Sequence, residues 1–280
     1  MVYRVSLGRF QRLIQYKECL GDWINLQNHS KAAFAIMTSL YDAQTLTQND
    51  TGNRLLEWYI RFDLLTSFIS GSLPSLDREW LEATHRYFMH QSKEFPHDLG
   101  HKYDERAAMH RLIAQDVSGL FRRAGKVPPT DFQREASVIS RNIAAWYRDL
   151  SPAMLDPSKV IADFPAELSH ELRTDDDADS VTVYGDELWP TNHMMVHFWG
   201  LELMFNHHLA LIQGESTPPD VTIIALKICQ MFEAVQKRDP TPGAMLGVQA
   251  ASGMAVPFLR KDPEVIMWGR MKQAMIERAG

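Results

Sequence analysis

The stretch Asp175-Asp176-Asp177-Ala178-Asp179 concentrates carboxylates, and hard oxygens set so closely are what a hard divalent cation requires. Asp175-Asp176-x-x-Asp179 has a spacing that could hold Mg²⁺ against a diphosphate. That chemistry needs a second ligand set on a facing helix, and no Asn/Asp, Ser/Thr, Glu set follows. A calcium loop using Asp175, Asp177 and Asp179, closed by Asp186, fits no better. Ser180 stands where the sharp turn wants glycine, and Asp186 is too short to replace the bidentate glutamate. A solvated loop is the expectation for this run.

Eleven histidines invite metal readings. His97 and His101 are spaced i, i+4, with Glu105 another four residues on, so a helix containing all three would present two nitrogens and one oxygen on one face. His97 follows Pro96, however, and is expected to cap the helix start. His193 and His197 share the same spacing. His208 lies roughly 22 Å further along at 1.5 Å per residue, too far to join them at one ion. Neither pair has the adjacent general base of a His-Glu-x-x-His zinc site. Metal binding is therefore not expected.

Nucleophile and cofactor motifs are absent from the sequence. There is no Gly-x-Ser-x-Gly elbow, no Gly-x-Gly-x-x-Gly and no phosphate-binding loop, so no cofactor is implied. Cys229, flanked by Ile228 and Gln230, reads as an inert core thiol. Its only companion is Cys19, so neither a disulfide framework nor a zinc cluster can be built, and a reducing compartment is expected. Fourteen methionines could line an apolar pocket, although packing between helices accounts for them equally well. More telling are Glu57, Arg61 and Asp63 among Leu55, Leu56, Trp58, Tyr59, Phe62 and Leu64. Glu57 and Arg61 are spaced i, i+4 and are expected to form a partly buried pair that clamps helices together.

The elements that must position these residues are helical throughout. Apolar residues recur at three and four from Arg54 to Ser70, ending at Gly71 and Pro74. Asp77 and Glu79 favour the positive start of the next helix. A third helix is expected from Asp98 to Phe121. A fourth opens at Thr130, with Gln133 completing a capping box, and runs to about Leu150. Pro165 to Asp186 reads as a surface loop with a short strand at Val181-Thr182-Val183. Further helices are expected over Thr191–Gln213, Val221–Val235, Ala244–Phe258 and Pro263–Arg278. The expectation is an all-α fold, one domain over 1–280 with about nine to eleven helices and no internal repeat.

The 280 residues are 45% hydrophobic and 23% charged, proportions of an ordinary globular chain that exclude disordered and collagen-like classes. A net charge of −6 argues against phosphate-driven binding to nucleic acid. No run approaches the roughly 20 apolar residues of a membrane span, and no signal peptide is seen, so a soluble intracellular protein is expected.

The most distinctive segment runs from Leu246-Gly247-Val248-Gln249-Ala250-Ala251-Ser252-Gly253 through Pro257-Phe258-Leu259-Arg260-Lys261-Asp262 to Met267-Trp268-Gly269-Arg270-Met271-Lys272. It resembles the closing region of the fungal-specific transcription factor domain, the regulatory part of fungal binuclear zinc cluster regulators. Trp58-Tyr59-Ile60-Arg61-Phe62-Asp63 with Glu79-Trp80 is similar to that family's early helix pair, and Ile228 to Val235 to the helix before the tail. Asn206-His207-His208-Leu209 is a vaguer match. The likeness covers roughly residues 10–280, with Arg61, Asp63, Trp80, Trp268, Arg270 and Lys272 as its signature positions.

The resemblance implies an all-α regulatory domain in the nucleus, answering to a small-molecule effector or to a homodimeric or transcription-machinery partner. The family's six-cysteine zinc cluster is missing from this sequence. DNA binding and zinc are therefore not carried over to this chain. The competing expectation is a cytoplasmic enzyme on the same scaffold, acting on a secondary metabolite, with His193 and His197 doing acid–base work because imidazole titrates near neutral pH. A deep pocket with convergent acid and base groups would favour the enzyme, and a shallow pocket with an apolar surface patch the regulator.

Overall fold

Breakers punctuate the chain, and between them a local i→i−4 ladder forms. The computed structural model describes residues 23–48, 50–70, 74–164, 168–173, 180–239, 241–259 and 263–279. Cys19, the acidic run Asp175–Asp179 and the Arg260-Lys261-Asp262 turn lie outside these residues. The chain divides between Asp149 and Leu150 into two compact units. The fold is all-α.

The first unit contains α1 (Trp23–Leu40), α2 (Ala43–Leu46), α3 (Asp50–Ser70), α4 (Arg78–Glu94), α5 (Leu99–Arg122) and α6 (Pro129–Arg148). Here α5 is the central element, packed against α3, α4 and α6. Its buried stripe, Ala108, Leu112, Ile113, Val117 and Leu120, supplies the core together with Phe88 of α4 and Ile139, Ile143 and Trp146 of α6. The Trp146 indole N–H donates to the Arg106 carbonyl at 3.0 Å, tying α6 to α5.

Two helix starts differ from expectation. Asp98, not His97, caps α5, its carboxylate accepting from the Gly100 amide at 2.7 Å. An aspartate oxygen satisfies an orphan N-terminal amide directly, whereas His97 stays exposed outside the helix. The capping box expected at Thr130 and Gln133 is not used either. α6 begins one residue earlier, at Pro129, and its N-cap is Pro128. Proline at the first helical position has a preset φ and no N–H to satisfy, so Thr130 already lies inside the helix.

The second unit opens with short 3₁₀ turns at Pro152–Met154, Pro157–Lys159, His170–Leu172 and Asp186–Leu188. It continues with α7 (Trp189–Gln213), α8 (Pro219–Arg238), α9 (Pro242–Ala255), a 3₁₀ turn at Val256–Phe258 and α10 (Pro263–Ala279). α7, α8 and α9 pack on one another, and α10 lies against α9 and the His170–Leu172 turn. The helix expected to reach Phe258 changes to 3₁₀ at Val256, because Pro257 cannot continue the α ladder. Gly214, at φ 71°, ends α7 in the left-handed conformation that favours glycine.

The expected strand at Val181-Thr182-Val183 is replaced by one antiparallel bridge between Val160 and Tyr184. A single bridge does not make a ladder. The side chain of Gln230 takes over instead, accepting from the Val181 amide and donating to the Leu172 carbonyl, both at 2.9 Å. Leu168, Leu172, Val181 and Val183 are buried, so the supposed surface loop sends four apolar side chains into the core, while His170, Arg173, Thr182 and Asp186 stay exposed. Among the described residues no helix is long and apolar enough to cross a membrane.

Candidate functional site

From Ile228 to Val235 every residue of α8 is buried, and among them stand one glutamine and one glutamate. A buried carboxylate costs several kcal/mol unless it is hydrogen-bonded and balanced. Glu233, 0% exposed, is both. It accepts from the backbone amide of Ser169 at 2.9 Å, from the Ser169 hydroxyl at 2.5 Å and from the Trp268 indole at 2.8 Å. The Lys272 ammonium lies 3.3 Å away, donates to Gln236 Oε1 at 2.6 Å and sits over the Trp268 ring. Burial raises the Glu233 pKa, but the bonds from Ser169 and Trp268 and the charge of Lys272 outweigh it. The carboxyl is held below its ordinary value.

Two signature positions, Trp268 and Lys272, are thus brought together on one carboxylate, one helical turn apart on α10. Gly269 between them allows the close approach: a Cβ there would lie 2.7 Å from Val256 Cγ1. Arg270 points away and is exposed, as are Ile266, Met267 and Met271 on the outward side of α10. Glu233 also adds to the effect of burial in raising the thiol pKa of Cys229, which is fully buried, matching the inert core thiol expected.

In the first unit Asp63 does the corresponding task with backbone donors. It is 4% exposed and accepts from the Ser75 and Leu76 amides at 2.8 and 2.9 Å, bracing the approach to α4. Burial still dominates and raises its pKa against those two bonds. The neighbouring Tyr59 phenol is pushed up to about 12, by burial first and by Asp63 second. Trp80, half-buried in the first turn of α4, follows that brace, and its carbonyl accepts from the Thr84 hydroxyl at 3.0 Å.

The expected Glu57–Arg61 pair does not form. Glu57 bonds Arg111 of α5 at 2.6 Å and lies 3.7 Å from Arg54, while Arg61 is exposed with its guanidinium 5.9 Å from the Phe62 ring centre. Glu57 and Arg111 are both poorly hydrated, at 13% and 17% side-chain exposure, and opposite charges attract more strongly there than toward a solvated Arg61. The network continues from Arg54 to Asp104 at 2.9 Å. On the α4 side His85 meets Glu105 at 3.4 Å and Arg106 meets it at 2.5 Å. Burial raises the Glu105 pKa, but the bonds from His85 and Arg106 prevail and hold it at about 2. Glu105 is therefore committed to His85 of α4 and to its neighbour Arg106, and the His97, His101, Glu105 ligand set is not assembled. His101 instead sits 3.9 Å from Asp98, its ring 5.3 Å from Phe95.

His193 and His197 fall in different surroundings. His193 is half-buried, its ring 6.2 Å from Trp189, and Gly247 leaves room for it against α9, where a Cβ would lie 3.1 Å from Nδ1. Burial lowers its pKa and keeps the ring neutral near pH 7, with Asp239 opposing weakly. His197 is exposed. His207 packs edge-on against Phe258 at 4.6 Å and meets the Thr217 hydroxyl at 3.0 Å, and His208 Nδ1 lies 2.9 Å from the Met204 carbonyl. Among the described residues no group of three His, Cys, Asp or Glu side chains is placed to hold a metal ion.

Sequence reasoning missed Glu233, Gln230, Ser169, Arg111 and Asp104 as organising groups. For Glu233 and Gln230 a signal existed, since two polar residues inside an unbroken apolar run must find partners or destabilise the fold. No family model, curated protein or solved structure matches the chain.

Proposed function

We propose that this chain is the regulatory domain of a fungal transcriptional regulator, acting through protein or ligand contacts in the nucleus and without a DNA-binding module of its own. The resemblance of the 246–272 segment supports the family. The observation that carries the reading is the outward side of α10. There Met267, Met271 and Ile266 stand 56%, 55% and 40% exposed on a helix pinned from behind by the Glu233 bonds to Trp268 and Lys272. Met267 and Met271, at i, i+4, are neighbours on the helix surface. Clustered exposed apolar side chains mark contact surfaces more often than scattered ones do, and methionine suits adaptable contacts. A rigid backing with a soft outer face suits recognition of a partner protein.

The test is a reporter assay in a fungal host. The chain is fused to an unrelated DNA-binding module, and output is compared with a Met267→Asp/Met271→Asp double variant at matched protein level. The expected result is a several-fold change in output that the double variant abolishes while its melting temperature stays unchanged. Output equal to that of the DNA-binding module alone would overturn the reading.

A further inference from the structure

The first unit carries an open cleft of about 470 Å³ formed by α4, α5 and α6, lined by Arg78, Arg123 and Arg134, by the carboxylates Asp116 and Glu135, and by Gln115, Gly119 and Val138. The guanidiniums are only partly used by the protein. Arg78 spends Nε on Glu82 at 2.9 Å and Nη1 on Asp116. Arg123 spends Nε on the Gly119 carbonyl at 3.1 Å and Nη2 on Glu135 at 2.5 Å, and Arg134 spends Nη2 on Asp131 at 3.0 Å. A guanidinium has five N–H donors. Nη2 of Arg78 and Nη1 of Arg123 and of Arg134 therefore keep donors for an outside acceptor.

Val138 is 41% exposed beside buried Ile139. Gly119 sits inside α5, where glycine weakens a helix relative to alanine, yet a Cβ built there meets nothing within 4 Å. Packing does not require glycine at 119, and its missing side chain leaves the cleft wall open. Gln115 closes the inner end of the lining, its Nε2 donating to the Leu76 carbonyl at 2.9 Å.

We propose that this cleft binds a small planar organic acid. Its carboxylate takes the spare guanidinium donors, and its flat apolar body lies along Gly119 and Val138. Arginine suits this ligand class because its planar fork both pairs with carboxylates and stacks on rings. The site stands whether or not the chain is a transcriptional regulator.

The experiment titrates the full chain with 6-hydroxy-2-naphthoate, followed by ligand fluorescence, with 2-naphthol as the arm lacking the carboxylate. Saturable binding is expected for the acid and is weaker by about tenfold for the naphthol, the size of one charge-assisted hydrogen bond. Arg123→Gln weakens the acid by a similar factor. Gly119→Trp fills the cleft and abolishes binding, whereas Gly119→Ala binds as wild type with a melting temperature at or above it. Undiminished binding to a folded Gly119→Trp chain, or no saturation by the acid, would overturn the site. Should Gly119→Trp unfold, Gly119→Leu and Arg123→Gln decide it by the same criterion.

Discussion

Two regions of this molecule solve the same problem, a carboxylate facing an apolar interior, in opposite ways. In the second unit one fully buried glutamate, Glu233, gathers a serine, an indole and an ammonium from two other segments. In the first unit Glu57, Asp104 and Glu105 are each 12% to 16% exposed and share Arg54, Arg106, Arg111 and His85 among themselves. The first arrangement concentrates several interactions on one carboxylate that is fully shielded from water. The second spreads them over partners that can exchange. Removing a member should therefore be severe at Glu233 and mild at the α3–α5 seam.

The largest effect is expected for Glu233→Gln, which strands a charged Lys272 beside a neutral amide and leaves donors of Ser169 competing for one acceptor. A loss of about 3 kcal/mol is expected in denaturant unfolding, with Trp268 fluorescence shifted. The pH dependence sharpens this. Because the folded carboxyl sits below its ordinary value of 4.5, its stabilisation is complete above that pH and is lost as pH falls below it. The glutamine variant should lack that contribution to acid unfolding. Gly269→Ala ranks next: the new methyl meets Val256 Cγ1, at about 1–2 kcal/mol, and Val256→Ala should restore stability. Failure of that rescue would mean that close approach is not what Gly269 provides.

A smaller loss, about 1 kcal/mol by thermal melting, is expected for Asp63→Ala, which leaves the Ser75 and Leu76 amides without their acceptor. Smallest is the Glu57–Arg111 coupling. A double-mutant cycle should give about 0.5–1 kcal/mol, shrinking in 1 M salt. A coupling as large as the Glu233 loss would erase the contrast between the two regions. The acid limb offers a further check on the seam. Glu105, held at about 2, contributes stability that is present above 4.5 and is lost as pH falls from there toward 2. Glu105→Gln should remove that limb.

Most helix bodies were legible in the residues. The Arg54–Ser70 pattern, the Gly214 stop and the proline breakers mark where helices run, since each depends on neighbours within a turn. The errors fall where one residue type can serve two local roles. Thr130 could cap a helix, but Pro129 starts it first. Val181 and Val183 alternate as a strand would, but the Val181 amide donates to the Gln230 side chain, 49 residues away, and the Val183 carbonyl accepts from the Ile161 amide. Of the candidate site, Trp268 and Lys272 were picked out by resemblance, and Asp63 by its place in an apolar helix. Their partners were not visible.

The sequence by itself determined the all-α class, most helix ends and the positions at which charge would meet apolar surroundings, because helix periodicity and breaker chemistry act over three or four residues. Only the tertiary structure decided who pairs with whom. Glu57 turned from Arg61, one turn away, to Arg111, 54 residues on. Ser169 and Trp268 met on Glu233 from 64 and 35 residues away. Such pairings depend on which helix faces come into contact and how far water is excluded between them, and both are set by packing the whole unit.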